Sequence, residues 1–185
     1  MIEIFEGIFQ QSEIEYVYND VTKRPVRFGK KGTDFDNFQY WGYSNMHKEL
    51  QRFLIERFLN ILPDGYSFAH GHFNIYNIGN NSALHYDGHS ADYSKSILTY
   101  WNTKEWDVEW GGATIFYKNQ NVDEYIFRMN PDNNAEGITD FNVSIFPEPG
   151  KTVMFDGDIY HSVTDMHPSC DECRVISSLR FHYGE

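Results

Sequence analysis

From residue 67 onward, short segments rich in Phe, Tyr, Ile and Val alternate with turn residues, and this alternation constrains the fold more than any other feature. The segments lie near 67–78, 82–86, 94–102, 112–117, 124–129, 142–147, 151–155, 159–164 and 173–183. Between them stand Gly79-Asn80-Asn81-Ser82, Asn130-Pro131-Asp132-Asn133 and Asp156-Gly157-Asp158. Such residues tolerate left-handed backbone or close turns through their own side chains. Many short strands with tight turns predict a mainly β chain folded as a sandwich or barrel.

One stretch breaks this pattern. From Ser44 to Leu62 the period lengthens, with Met46, Leu50, Phe53, Leu54, Phe58, Ile61 and Leu62 on one stripe and Lys48, Gln51, Arg52 and Glu56 largely off it. This predicts one main helix near 45–62, capped by Ser44 or Asn45 and ended by Pro63-Asp64-Gly65. The first thirty residues alternate apolar and polar positions at Ile2-Glu3-Ile4 and at Glu13-Ile14-Glu15-Tyr16, which predicts short strands there. Residues 27–43 mix Gly29, Gly32, Lys30 and Lys31 with Phe35, Phe38, Tyr40, Trp41 and Tyr43, and predict an irregular, mobile, aromatic-rich loop. With 185 residues, one domain over 1–185 is the default.

Charge narrows the partners. A formal net charge of −12 repels phosphates and anionic headgroups, so nucleic acid and membranes are disfavoured. Arg24, Arg27, Lys30 and Lys31 form the one notable basic cluster, read as a solvated loop. No run approaches the roughly 18 apolar residues of a membrane span, and no basic, apolar leader opens the sequence. The expectation is a soluble, cytoplasmic protein.

The chemistry-bearing residues are His85-Tyr86-Asp87, then His161 after the turn Pro149-Gly150, then Arg174. Side chains at i and i+2 of a strand share a face, so His85 and Asp87 can point together. Two imidazoles and one carboxylate on one side of a metal, with the other side open, suit non-haem Fe(II) oxygenases. An Arg fork grips a carboxylate such as that of a dicarboxylic co-substrate. A lone His-x-Asp is a common chance motif, and its force comes from the ordered set.

Four segments carry a resemblance: NIYNIGNNSALHYDGHS, SILTYWNTKEWDVEWGGATIFY, VSIFPEPGKTVMFDGDIYHSV and RVISSLRF, all between residues 74 and 181. In these the chain resembles the Fe(II)- and 2-oxoglutarate-dependent dioxygenases, especially their prolyl-4-hydroxylase-like branch. The resemblance implies a double-stranded β-helix, a cupin-like jelly roll, with the helix near 45–62 buttressing one sheet. It implies Fe(II) on His85, Asp87 and His161, and 2-oxoglutarate with its distal carboxylate on Arg174 and hydrogen bonds from Tyr76 and Tyr100. It also implies O₂ as oxidant, ascorbate as an accessory reductant, and hydroxylation of an unactivated C–H bond with release of succinate and CO₂. By likeness the favoured substrate is a prolyl residue in a peptide or protein, with a small molecule the other class.

Two departures and two rivals stand beside this. The spacing from His161 to Arg174 is longer than usual in that branch and contains Cys170-Asp171-Glu172-Cys173, which predicts a small hairpin insertion with free thiols. Arg180, an even number of residues beyond Arg174, is an alternative carboxylate anchor. Asn74-x-Tyr76, His85-x-Asp87 and the Arg174/Arg180 pair also resemble AlkB-type nucleic-acid demethylases, against which the net charge and Trp110–Tyr117 weigh. A non-catalytic cupin-like metal- or ligand-binding barrel is the remaining alternative, though such a barrel has no need of Arg174. His70 and His72 share a strand face without an acidic third ligand, His89 is expected to face the site entrance, and His47, His167 and His182 are read as structural.

Overall fold

A computed structural model describes residues 1–30, 40–43, 46–88, 94–117 and 141–184. The elements run β1 (Ile2–Phe5), α1 (Gln11–Thr22), β2 (Arg27–Lys30), β3 (Tyr40–Tyr43), α2 (Lys48–Leu59), β4 (Tyr66–Tyr76), β5 (Ser82–His85), β6 (Ser94–Tyr100), β7 (Thr114–Tyr117), β8 (Phe141–Ile145), β9 (Thr152–Asp156), β10 (His161–Val163) and β11 (Arg174–Tyr183). They form a seven-stranded sheet, β1-β9-β6-β11-β4-β3-β2, and a four-stranded sheet, β5-β10-β7-β8. The named pairings within both sheets are antiparallel. This is the two-sheet, mainly β architecture expected of a double-stranded β-helix. Among the described residues no helix is long and apolar enough to cross a membrane.

Strand alternation divides the core in two. Ile75 and Phe73 of β4, Ile97 of β6, Met154 of β9, and Val175, Leu179 and Phe181 of β11 face the helices and meet Ile14, Val17 and Val21 of α1 and Leu50, Leu54 and Phe58 of α2. The intervening residues Tyr76, Leu98, Tyr100, Val153, Phe155 and Ile176 turn inward, where Phe116, Ile145 and Val163 of the smaller sheet close over them. Every residue of β6 and β9 is buried, as befits strands covered on both faces.

The N-terminal region departs from the strands predicted there. Ile2–Phe5 is a strand, but Glu13–Tyr16 lies in α1. Four alternating residues satisfy either period. The decisive spacing is Ile14, Val17, Val21, one buried stripe, while Tyr16 is exposed. Glu13 also does an N-terminal job, its carboxylate accepting the Gln10 backbone N–H at 2.8 Å. Among the described residues, two helices of 12 residues therefore lie against the major sheet rather than one main buttress. The second begins at Lys48, later than Ser44, and His47 caps it by accepting the Leu50 N–H at Nδ1, 3.3 Å away. Ser44 and Asn45 lie outside the described residues. The other His47 nitrogen stands 3.2 Å from Asp20 Oδ2, and Glu13 pairs with Arg57, so two polar ties join the helices.

Residues 27–30 and 40–43, predicted as loop, instead form the hairpin strands β2 and β3, which extend the major sheet from β4. Phe28 and Trp41 lie opposite each other in that pair, their rings 5.0 Å apart. Aromatic cross-strand pairs stabilise such ribbons, and irregular composition concealed this one. Residues 31–39, His89, the segment 124–129 and the turn at 130–133 lie outside the described residues.

Candidate metal centre

The smaller sheet brings His85 and His161 together. His161 begins β10 directly opposite His85, the last residue of β5, and their rings stand 4.3 Å apart. Asp87 lies two residues beyond the end of that strand pairing. Its position comes from the turn after β9, where the Gly157 carbonyl accepts the Asp87 and Gly88 N–H groups at 2.9 and 2.7 Å. Gly157 permits that approach, because a Cβ there would stand 2.1 Å from Ser94 Oγ. One ligand atom each from His85, Asp87 and His161 falls within a mutual 4.8 Å.

Their protonation suits a cation. His161 is buried among Phe116, Phe155 and His85. Burial, reinforced by His85 and opposed by Asp87, brings its pKa down to about 4, so the ring is neutral at pH 7. Its Nδ1 lies 3.0 Å from the Ile159 carbonyl, an acceptor, so Nδ1 carries the proton and Nε2 keeps a free lone pair. Burial pushes the Asp87 carboxyl pKa up, but His161, Arg180, His85 and Ser96 outweigh it and hold the group well below the usual carboxylate range. Asp87 Oδ2 is buried without a hydrogen-bond partner among the described residues. A bare, ionised, buried oxygen beside two imidazoles is costly unless a cation neutralises it.

A second polar centre lies deeper between the sheets. Arg174, the first residue of β11, is 1% exposed. Its guanidinium carbon sits 4.8 Å from the Tyr76 ring centroid and 5.3 Å from that of Tyr100. Nη2 donates to Thr114 Oγ1 at 2.8 Å, and the Tyr100 hydroxyl donates to the same oxygen at 2.7 Å. Nε and Nη1 are buried and find no partner among the described residues. The preceding Gly111-Gly112 makes room: both have positive φ, and a Cβ on Gly112 would press 3.4 Å from Arg174 Cδ. A buried guanidinium with two bare nitrogens and aromatic walls is a receptor for an anion.

The structure thus brings together both predicted groups, the triad and the Arg174-Tyr76-Tyr100 cluster, and separates the two arginines. Arg180 pairs with Asp87 rather than lying beside Arg174. Thr114, not singled out from sequence, ties Tyr100 to Arg174; the signal was a hydroxyl residue in the otherwise apolar run Ala113–Phe116. The stretch before Arg174 is not a hairpin: one isolated bridge, Gly111 to Met166, anchors it. Cys170 and Cys173 are free thiols, donating to the Glu172 carbonyl at 3.1 Å and to Asn77 Oδ1 at 2.8 Å. Burial raises both pKa values, which disfavours thiolate reactivity.

Comparison with known proteins agrees with this geometry. The chain matches the family model of the 2OG-Fe(II) oxygenase superfamily over residues 71–182, and it belongs to that superfamily. HygX from Streptomyces hygroscopicus, solved with nickel and 2-oxoglutarate, is similar at TM-score 0.71 and 12% identity, covering 98% of this chain and 82% of its own. A Pseudomonas putida prolyl-4-hydroxylase is similar at TM-score 0.64 and 13% identity, covering 100% and 92%. A Trichoplax adhaerens prolyl hydroxylase, solved with a hypoxia inducible factor peptide fragment, is similar at TM-score 0.67 and 14% identity, covering 99% and 83%. A search of curated proteins finds no match. The superfamily's cofactor and co-substrate are Fe(II) and 2-oxoglutarate, and the donor set present here fits both.

Proposed function

We propose that this chain hydroxylates an unactivated C–H bond, most specifically that of a prolyl residue in a peptide or protein, using Fe(II), 2-oxoglutarate and O₂. When bound, the iron supplies the oxidative chemistry: 2-oxoglutarate and O₂ give succinate and CO₂, with one oxygen atom passing to the substrate. His85, Asp87 and His161 would hold the metal through two imidazole nitrogens and one carboxylate oxygen, the donor set that suits a non-haem Fe(II) centre. Arg174 receives the distal carboxylate of 2-oxoglutarate on its bare nitrogens, while Tyr76 and Tyr100 wall the guanidinium and Thr114 fixes its direction. Phe116 and Phe155 around His161 keep water from that side.

The observation that carries this reading is the buried, incompletely satisfied Arg174 in the same interior as the triad. A barrel that only binds metal does not need a cation buried there. The prolyl assignment draws on the likeness to prolyl hydroxylases, one solved with a peptide. Purified protein supplied with Fe(II), 2-oxoglutarate and O₂ should form succinate above a metal-free control, and Asp87→Ala should return it to that control. A proline-containing peptide panel should stimulate turnover. Stimulation by methylated single-stranded DNA or a small polar molecule, with none from the peptides, would overturn the prolyl assignment and leave the oxygenase reading standing.

A further inference from the structure

Arg180 is absent from the ligand set and from the 2-oxoglutarate pocket, yet it is paired with the one anionic residue of the triad. It lies on the inward face of β11, opposite His70 of β4 and Ser96 of β6. Its Nη2 donates to Asp87 Oδ1, while Oδ2 of the same carboxylate is buried and bare. His85 Nε2 stands 3.9 Å from Oδ1. The Asp87 side chain is 4% exposed and that of Arg180 25%, so the pair is shielded at its anionic end and opens at its cationic end.

We infer that Arg180 is a positioning residue for the metal site: it grips one oxygen of Asp87 so that the carboxylate offers the metal a single oxygen. Chelation by both oxygens would turn the carboxylate plane and pull Oδ1 from the guanidinium, breaking a charge-assisted hydrogen bond in a buried setting. One oxygen from Asp87 leaves an extra coordination position for reactants. The Arg180 guanidinium already holds Oδ1 of Asp87 before metal arrives, so the carboxylate is oriented in the metal-free protein. Groups that orient metal ligands in this way typically change affinity or activity by roughly 10–100-fold when removed.

This inference rests on the metal-site reading under Proposed function, and the test separates the two. Co(II) is added to metal-free wild type, Arg180→Met and Arg180→Lys, and its visible absorption and binding stoichiometry are recorded, alongside thermal midpoints and succinate-forming kcat with Fe(II). Wild type should bind one Co(II). Arg180→Met should still bind it, with an altered visible spectrum and a kcat lowered roughly 10–100-fold. Arg180→Lys, which restores a cationic donor, should recover part of both losses, and it carries the test if the Met variant does not fold. A wild type that takes up no Co(II) overturns the metal-site reading itself. If wild type binds Co(II) and a folded Arg180 variant matches it in spectrum and kcat, the positioning role is wrong; changes in thermal midpoint alone, or equal losses in Met and Lys variants, also overturn it.

Discussion

β11 sends Val175, Ser177, Leu179 and Phe181 toward the helices, and Arg174, Ile176, Ser178 and Arg180 toward the smaller sheet. On the helix side nearly everything buried is hydrocarbon or aromatic, and Trp101 Nε1 satisfies the lone Ser177 hydroxyl at 2.9 Å. Each large apolar side chain so buried contributes about 1.5–3 kcal/mol. On the inner side the same strand buries a guanidinium with two bare nitrogens and holds another against a buried carboxylate. Such groups add little to stability until an ion or ligand completes them. One strand therefore supports the fold with one face and the chemistry with the other, and substitutions on the two faces should have separable consequences.

The sharpest way to break that division is to remove a ligand: His161→Ala should abolish Fe(II)-dependent succinate formation, yet melt as one cooperative transition in calorimetry. Leu54→Ala, beneath the other face, should lower unfolding free energy by about 2–5 kcal/mol in urea titration while leaving kcat of the folded fraction unchanged. Arg174→Met should raise the 2-oxoglutarate concentration for half-maximal succinate formation by roughly 10–100-fold, equivalent to the loss of one charged hydrogen bond of about 1.5–3 kcal/mol.

The smallest effect is in pH, and its sign differs between two regions. His161 in the metal-free protein has its pKa lowered to about 4, so the unfolded chain binds the proton more readily and stability falls as pH drops from 6.5 toward 4. Tyr18 of α1 has its pKa raised to about 12 by burial and by Glu172 and Cys173, so stability falls as pH rises from 10 through 12. Thermal midpoints across both windows should show both slopes, with His161→Gln flattening only the acid one and Tyr18→Phe only the alkaline one.

The parts that were legible in the sequence were those with local cause. Strands after residue 66 announced themselves through alternation and turns, and the triad through an ordered motif. Hidden features depended on distant partners. Whether Glu13–Tyr16 was helix or strand was decided by Val17 and Val21 meeting the sheet, and β2 and β3 exist because β4 offers an edge. That Arg180 and Arg174 serve different centres follows from the strand's course past both sheets, since equal parity puts them on one face without saying what each meets.

The pairing of His161 with His85 is a backbone fact before it is a chemical one. Two imidazoles set on opposite rungs of a hydrogen-bond ladder inherit their separation from the ladder, so the site is tuned by a ruler whose only division is one residue. A one-residue slip of the His161 pairing itself would turn its side chain to the other face of the sheet instead of moving it slightly. The ladder already takes up one extra residue of β5 between His161 and Val163, so length changes are tolerated only where such an irregularity leaves the His161–His85 rung itself in place.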